Sequence, residues 1–234
     1  MPNKYILTVS HLTKSFGDHT VLSDLTFALQ TGHRLAIIAP SGSGKTTLLH
    51  ILAKLQTPDS GTFVVNAQRP AVIFQEPRLF PHLTIEQNIF LPLHVQRTPI
   101  TALIQQQLRQ WLDVCELAKF RNNYPHELSG GMMQKVALIR GLLPKPTLAF
   151  LDEPFQSIGQ PAKKRVIQYL IAENPSLSAL LVTHDPEEVS LMAKSTLFFN
   201  TNQLGKYILL DTDPVISAPT SAETHFMDPR RSYV

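Results

Sequence analysis

Hydrophobic positions along the chain follow two rhythms. Toward the front, "YILTVSHLTKSFG", "HTVLSDLTFALQTG" and "GTFVVN" alternate apolar and polar residues between turn signals, as antiparallel strands with one wet face do. Farther on, "RLAII" (34–38), "AVIF" (71–74), "TLAFL" (147–151) and "ALLVT" (179–183) are continuously apolar and predict buried parallel strands. The stretch 77–127 reads as mostly helical. Ile104, Leu108, Trp111 and Cys115 recur there at helical spacing, and Pro92, Pro99 and Pro125 punctuate the region. Residues 196–210 look like a short hairpin, and the Pro- and Ser-containing end from 213 to 234 reads as a loosely held tail.

Each buried strand is followed at once by polar residues: a glycine-rich loop, then Gln75, then Asp152-Glu153, then His184-Asp185. In open α/β sheets ligands bind outside the carboxyl ends of the strands. Four strand ends carrying reactive groups therefore argue for one site more strongly than any single motif does.

Composition adds constraints. The chain has 234 residues, 43% of them apolar, enough for a substantial core. A net charge of +3 is too mild to argue for nucleic acid, and a solvated basic surface accounts for it. The single cysteine, Cys115, excludes an internal disulfide and fits a reducing compartment. No apolar run approaches the roughly 20 residues that span a bilayer, and the start "MPNKYILTVSHL" reads as a strand and not a signal peptide. Glycine is sparse, at 10 residues, yet Gly42, Gly44, Gly130 and Gly131 fall in two short clusters. That placement points to backbone requirements.

The first cluster lies in "IIAPSGSGKTTLLHIL". It fits the phosphate-binding pattern G-x-x-x-x-G-K-[ST] except that Ala39 holds the first glycine position. Between strand and helix, the loop Ala39-Pro40-Ser41-Gly42-Ser43-Gly44 would turn the N–H groups it has (Pro40 offers none) around an anion at a positive helix end. Lys45 would reach the β- and γ-phosphates, the Thr46 hydroxyl would ligate Mg2+, and Thr47 would join them in binding the nucleotide. Alanine adds one methyl at the strand end, away from the ligand, provided its φ is negative. In "TLAFLDEP" strand alternation sends Asp152 and Glu153 to different sides. Asp152 suits the Mg2+-side carboxylate and Glu153 the group that orients or deprotonates attacking water; a plain surface turn is the bland alternative. His184 could touch the γ-phosphate, although alone it would be an ordinary loop histidine. The second cluster, Ser129-Gly130-Gly131 in "HELSGGMMQKVALIRGLL", opens an apolar-periodic helix and offers a second anion cradle. One nucleotide needs only one cradle, unless the second serves a neighbouring molecule.

Over roughly residues 3 to 212 the chain resembles the ATP-binding-cassette (ABC) ATPases. The resemblance rests on Phe16 in "KSFG", "APSGSGKTT", Gln75 in "FQEPRLFPHLT", "LSGGM", "LAFLDEP" and His184 in "VTHD", all in the family's order. It implies an α/β fold: a P-loop NTPase core with a mainly parallel sheet, an N-terminal antiparallel β subdomain and a helical subdomain, about 77–135, inserted in the core. It implies ATP and Mg2+ as cofactors, and catalysis by Glu153, His184 and Lys45. Phe16 would stack on adenine, and Gln75 would contact Mg2+ and the membrane partner alongside the metal-side residues Thr46 and Asp152. Two copies would pack head to tail around two ATP, with Ser129, Gly130 and Gly131 of each capping the γ-phosphate held by the other's Lys45. "LFPHLT", Gln134 and "DEPF" look most like the ATPases of nitrate/sulfonate/taurine-type importers, a group that includes thiamine-precursor systems. Such a subunit sits on the cytoplasmic side of the membrane and drives a separate permease, with a solute-binding protein as an indirect partner. The permease's coupling helix would dock in the region 77–127.

Three departures stand out. "QSIG" (156–159) replaces the family's Ser-Ala-Leu-Asp, so Gly159 lacks the aspartate that makes a contact across the dimer. Met132 replaces a glutamine, and "LIRGLL" brings a bulkier Ile139 into the signature helix. Two other readings stay open from the residues. A soluble ABC-type ATPase without a permease would carry two cassettes or a long insert between Lys45 and Ser129. A kinase or GTPase on the same phosphate loop would not explain LSGG, and a GTPase should show Asn/Thr-Lys-x-Asp.

Overall fold

The computed structural model describes residues 4–200 and 203–211, so the tail expected at 213–234 lies outside the described residues. The chain divides into two compact units. One comprises Met1–Pro70, Thr147–Asp152 and Ser176–Val234, the other Ala71–Pro146 and Glu153–Pro175.

In the first unit the alternating segments form β1 (Tyr5–Phe16), β2 (His19–Gln30) and β4 (Ser60–Val65) in an antiparallel sheet of order β2-β1-β4. Leu7, Val9 and Leu12 of β1 are buried with Leu22, Leu25, Phe27 and Leu29 of β2. The pairing is irregular between Val9 and Leu12, where His11 adopts left-handed backbone, and between Leu12 and Lys14, opposite left-handed Asp24, so the inward set shifts phase along the strand.

The continuously apolar segments form a second sheet in this unit. It contains β3 (Arg34–Ile38), β6 (Leu148–Asp152), β7 (Ser178–Val182), β8 (Ser195–Phe198) and β9 (Ile208–Asp211), in the order β6-β7-β3-β8-β9. All pairs are parallel except β8 with β9, the hairpin expected at 196–210. Every residue of β6 and β7 is buried, which explains why neither alternates. The helix α1 (Lys45–Leu52) follows β3 and buries Leu48, Leu49, Ile51 and Leu52. A shorter helix, α6 (Pro186–Met192), follows β7 and is capped by the Asp185 side chain.

The second unit holds β5 (Ala71–Ile73) and the helices α2 (Ile85–Val95), α3 (Ala102–Val114), α4 (Gly130–Leu142) and α5 (Gln160–Glu173). Thr84 and Gln87 form a reciprocal capping box at the start of α2, and Thr101 caps α3. Pro92 lies inside α2 instead of ending an element as the sequence suggests. An interior proline costs about 3 kcal/mol, which burial of Ile85, Ile89, Phe90 and Leu93 offsets at about 1.5–3 kcal/mol each. The stripe on α3 faces inward at Leu108, Trp111 and Leu112, and Trp111 meets Tyr169 of α5 edge-on at 4.7 Å. Cys115, just past α3, is buried, and burial pushes its thiol up to about 12, which makes it a packing residue and not a nucleophile. Along α4 everything from Gln134 to Ile139 is buried; the expected apolar stripe is a helix enclosed on all sides, and Ile139 is accommodated there. Among the described residues no helix is long and apolar enough to cross a membrane.

Candidate functional site

The phosphate-loop residues sit where β3 hands over to α1. Gly42 has φ +75° and Gly44 φ +96°, conformations open to glycine at little cost. A Cβ on Gly44 would also lie 2.9 Å from the Val21 carbonyl oxygen and 3.0 Å from Val21 Cβ. Gly44 is thus demanded by the chain's own packing as well as by any ligand. Ala39 is not among the positive-φ residues, so its methyl introduces no backbone strain. The Lys45 ammonium reaches back over the loop and donates to the carbonyls of Ala39 at 2.8 Å and Pro40 at 2.7 Å. Ser41 and Gly42 are exposed, Ser43 is buried, and Thr46 is exposed with Thr47 half-buried behind it. The Ser43 hydroxyl oxygen is buried without a hydrogen-bond partner.

A chemical partner for the loop comes from β6. Thr46 Oγ1 donates to Asp152 Oδ2 at 2.8 Å, joining the first turn of α1 to the carboxyl end of a strand far off in sequence. Asp152 itself is buried. Two hard oxygen donors, a hydroxyl and a carboxylate, therefore converge beside the loop, a set that suits Mg2+. In the same unit His184 is exposed directly after β7. Its neighbour Thr183 donates to Glu188 Oε2 at 2.7 Å and accepts from the Asp185 N–H at 3.1 Å, which fixes the turn that carries His184.

Phe16 ends β1 and is 51% exposed. Lys14 Nζ lies 5.6 Å from its ring centroid and donates to Asp59 Oδ1 at 2.6 Å. Asp59 also accepts from the Ser15 N–H at 2.7 Å. These bonds, that from Lys14 first, hold its carboxyl below the usual carboxylate range. An exposed aromatic ring under a tethered cation is suited to stacking with a flat, electron-rich partner.

The remaining expected residues belong to the second unit. Glu153 is only 9% exposed and has φ +44°. A non-glycine residue in left-handed backbone costs about 1–3 kcal/mol and persists only where its surroundings hold it. The turn it starts returns through a Gln156 N–H bond to the Glu153 carbonyl at 3.2 Å, anchored by fully buried Phe155. Gln75 is exposed beyond β5, and its Nε2 donates to Gln156 Oε1 at 2.9 Å.

Ser129 is the N-cap of α4, and its hydroxyl accepts from the Met132 N–H at 3.3 Å. The two glycines after it are required for different reasons. A Cβ on Gly131 would fall 2.4 Å from the Ser157 carbonyl oxygen, whereas one on Gly130 would meet nothing within 4 Å. Internal packing explains Gly131. At Gly130 the chain itself asks for no glycine, and the bare backbone faces outward.

The structure thus joins Thr46 to Asp152 and Lys45 to its own loop in one unit, and Gln75 to the turn after Glu153 in the other. Two residues entered the sequence reading only as motif letters. Gln156 holds Gln75, and Gln134, buried on α4, donates to the Pro154 carbonyl at 3.0 Å. The signal for Gln134 was a lone amide inside an apolar helix, which has to find a partner once buried. Gly159, in place of the family's aspartate, is the N-cap of α5 with φ −62° and ψ 150°, a conformation any residue adopts.

Residues 22–156 match the model of the ABC transporter family. Over 210 residues the chain is 33% identical to the sulfate/thiosulfate import ATP-binding protein CysA of Gloeobacter violaceus, covering 85% of this chain and 61% of that protein. It is 38% identical over 186 residues to the aliphatic sulfonates import ATP-binding protein SsuB 2 of Pseudomonas syringae pv. tomato, covering 79% and 78%. The chain spans about three fifths of the length of the sulfate/thiosulfate relatives. Among solved structures, an ATP-binding subunit of an ABC transporter superposes with a TM-score of 0.78 at 25% identity, covering 89% of this chain and 90% of that one. A dimeric bacterial ABC transporter cassette superposes with a TM-score of 0.76 at 24% identity, covering 86% and 97%, a likeness of fold.

Proposed function

Because the chain belongs to the ABC transporter family, we propose that it is the ATP-binding and ATP-hydrolysing subunit of an import system, working as a head-to-tail homodimer that drives a separate transmembrane permease. The observation that carries this reading is the pairing of Thr46 with Asp152 beside a loop whose glycines adopt the conformations a phosphate cradle needs.

Lys45 exchanges the neutral carbonyls of Ala39 and Pro40 for anionic phosphate oxygens, which bind an ammonium more strongly. N–H groups of the loop and of the first turn of α1 point at the same phosphates. Thr46 and Asp152 would hold Mg2+, which would supply positive charge to offset that of the phosphates, and Gln75 keeps its expected role as a further metal contact. Phe16 stacks on adenine. Glu153 orients a water against the γ-phosphorus and takes its proton as the bond to the β-phosphate oxygen breaks, while His184 contacts the γ-phosphate. Ser129, Gly130 and Gly131 serve the partner copy, and Gly130's outward-facing backbone supports that role.

The chain sits on the cytoplasmic face through the permease, to which a solute-binding protein delivers cargo. The 38% identity to a sulfonate-import subunit of similar length favours an importer of that kind. The purified chain is expected to release phosphate from ATP with Mg2+ and to stop when EDTA is added. Affinity capture from native membranes should recover a polytopic membrane protein; if the chain hydrolyses ATP but never co-purifies with one, the soluble ABC-type ATPase replaces the transport reading.

Gly159→Asp tests the unusual turn. The open space at this N-cap predicts folding stability unchanged or raised by about a few tenths of a kcal/mol, read as a melting temperature no lower than that of the unaltered chain. Steeper cooperativity of hydrolysis with ATP would accompany it if the aspartate restores a contact across the dimer. A Hill coefficient equal to that of the unaltered chain would show that this contact is dispensable.

A further inference from the structure

Pro154 follows Glu153, and a proline disfavours the right-handed helical region at the residue before it. Glu153 takes the left-handed alternative, φ +44°, and something outside the turn has to hold it there. Part of that hold comes from α4. Gln134 is 2% exposed, and its Nε2 donates to the Pro154 carbonyl at 3.0 Å, with a longer contact of 3.5 Å to the Phe74 carbonyl. Phe74 directly precedes Gln75, and Gln75 is bonded to Gln156 on the far side of the same turn. One turn earlier on α4, Gly131 lets the helix approach the Ser157 carbonyl. One buried amide thus joins the backbone next to the acidic turn with the backbone next to Gln75.

We infer that Gln134 is the positioning residue for Glu153: by holding the Pro154 carbonyl it fixes the left-handed turn that aims the Glu153 carboxylate, and it ties that turn to the segment bearing Gln75. The inference rests on the reading of Glu153 as the base. Gln134 touches neither nucleotide nor water in this role. Its loss leaves a buried carbonyl without a donor and lets the turn relax, so chemistry suffers and nucleotide binding does not.

The experiment compares Gln134→Met and Gln134→Glu with the unaltered chain. Gln134→Met keeps the length but not the donor; kcat should fall about tenfold with KM for ATP within about twofold. Equilibrium binding of a fluorescent ATP analogue should stay unchanged. Gln134→Glu can still donate while its carboxyl is protonated, so its activity relative to the unaltered chain should recover as pH falls. A purely structural role is separated by the cycle with Glu153→Gln. Once the base is gone, adding Gln134→Met should slow residual single-turnover hydrolysis no further. An undiminished kcat, a rise in KM alone, or an equal loss in both backgrounds overturns the inference. If Gln134→Met loses its cooperative melting transition, the pH profile of Gln134→Glu decides, and a flat ratio across pH overturns it. Normal turnover by Glu153→Gln alone would instead overturn the reading of the base.

Discussion

Glu153→Gln is expected to bind ATP as tightly as the unaltered chain and to hydrolyse it roughly 100- to 10,000-fold more slowly, the usual contribution of a positioned general base. That range corresponds to about 3–5 kcal/mol of transition-state stabilisation. The substitution is nearly isosteric, and Glu153 is already mostly buried in a turn held by its neighbours, so folding should be preserved. An amide can still accept a hydrogen bond from water but cannot take its proton. If ATP joins two copies, blocking hydrolysis should also trap the joined state, and light scattering with ATP and Mg2+ should report a stable dimer. Turnover at the unaltered rate would remove Glu153 from the role of base.

The second large effect is expected at Ser129→Arg. Ser129 belongs to the unit that begins at Ala71 and Lys45 to the other, and the proposal has them meet across two copies. Losing the Ser129 cap costs α4 about 1 kcal/mol, too little to unfold the chain, yet hydrolysis should cease because an arginine fills the place of the capping hydroxyl. Mixing Ser129→Arg with Lys45→Ala, each inactive alone, should restore activity. Every mixed dimer then has one site with both an intact loop and an intact cap, and a random equal mixture should reach roughly a quarter of unaltered activity. A mixture that stays inactive would refute capping in trans. The pair of experiments separates chemistry from assembly, since Glu153→Gln should still dimerise whereas Lys45→Ala should lose nucleotide binding.

Much of this site could be read along the chain because its elements are local. A phosphate loop needs a strand, a few small residues and a helix start within one continuous stretch, and "IIAPSGSGKTT" supplies all three. The alternating front and the continuously apolar middle separated an antiparallel from a parallel sheet, since burial on one face or two writes itself into the period. The tolerance of Ala39 is also local, since it depends only on the sign of one backbone angle. Pro92 reads as punctuation in the sequence yet lies inside α2, because its cost is local while the burial that outweighs it is not.

The sequence by itself determined the kind of chemistry: phosphate loop, acidic strand end and second glycine cluster, in an order that names a family. Only the tertiary structure decided how the parts are held. It placed Asp152 on Thr46, Gln156 on Gln75 and Gln134 on the Pro154 carbonyl. It also showed that Gly44 and Gly131 are required by close backbone approach, at the Val21 and Ser157 carbonyls. The physical reason is range. Backbone propensity and burial period act over a few residues and leave a repeating trace, whereas one hydrogen bond between distant segments leaves only an unremarkable letter at each end.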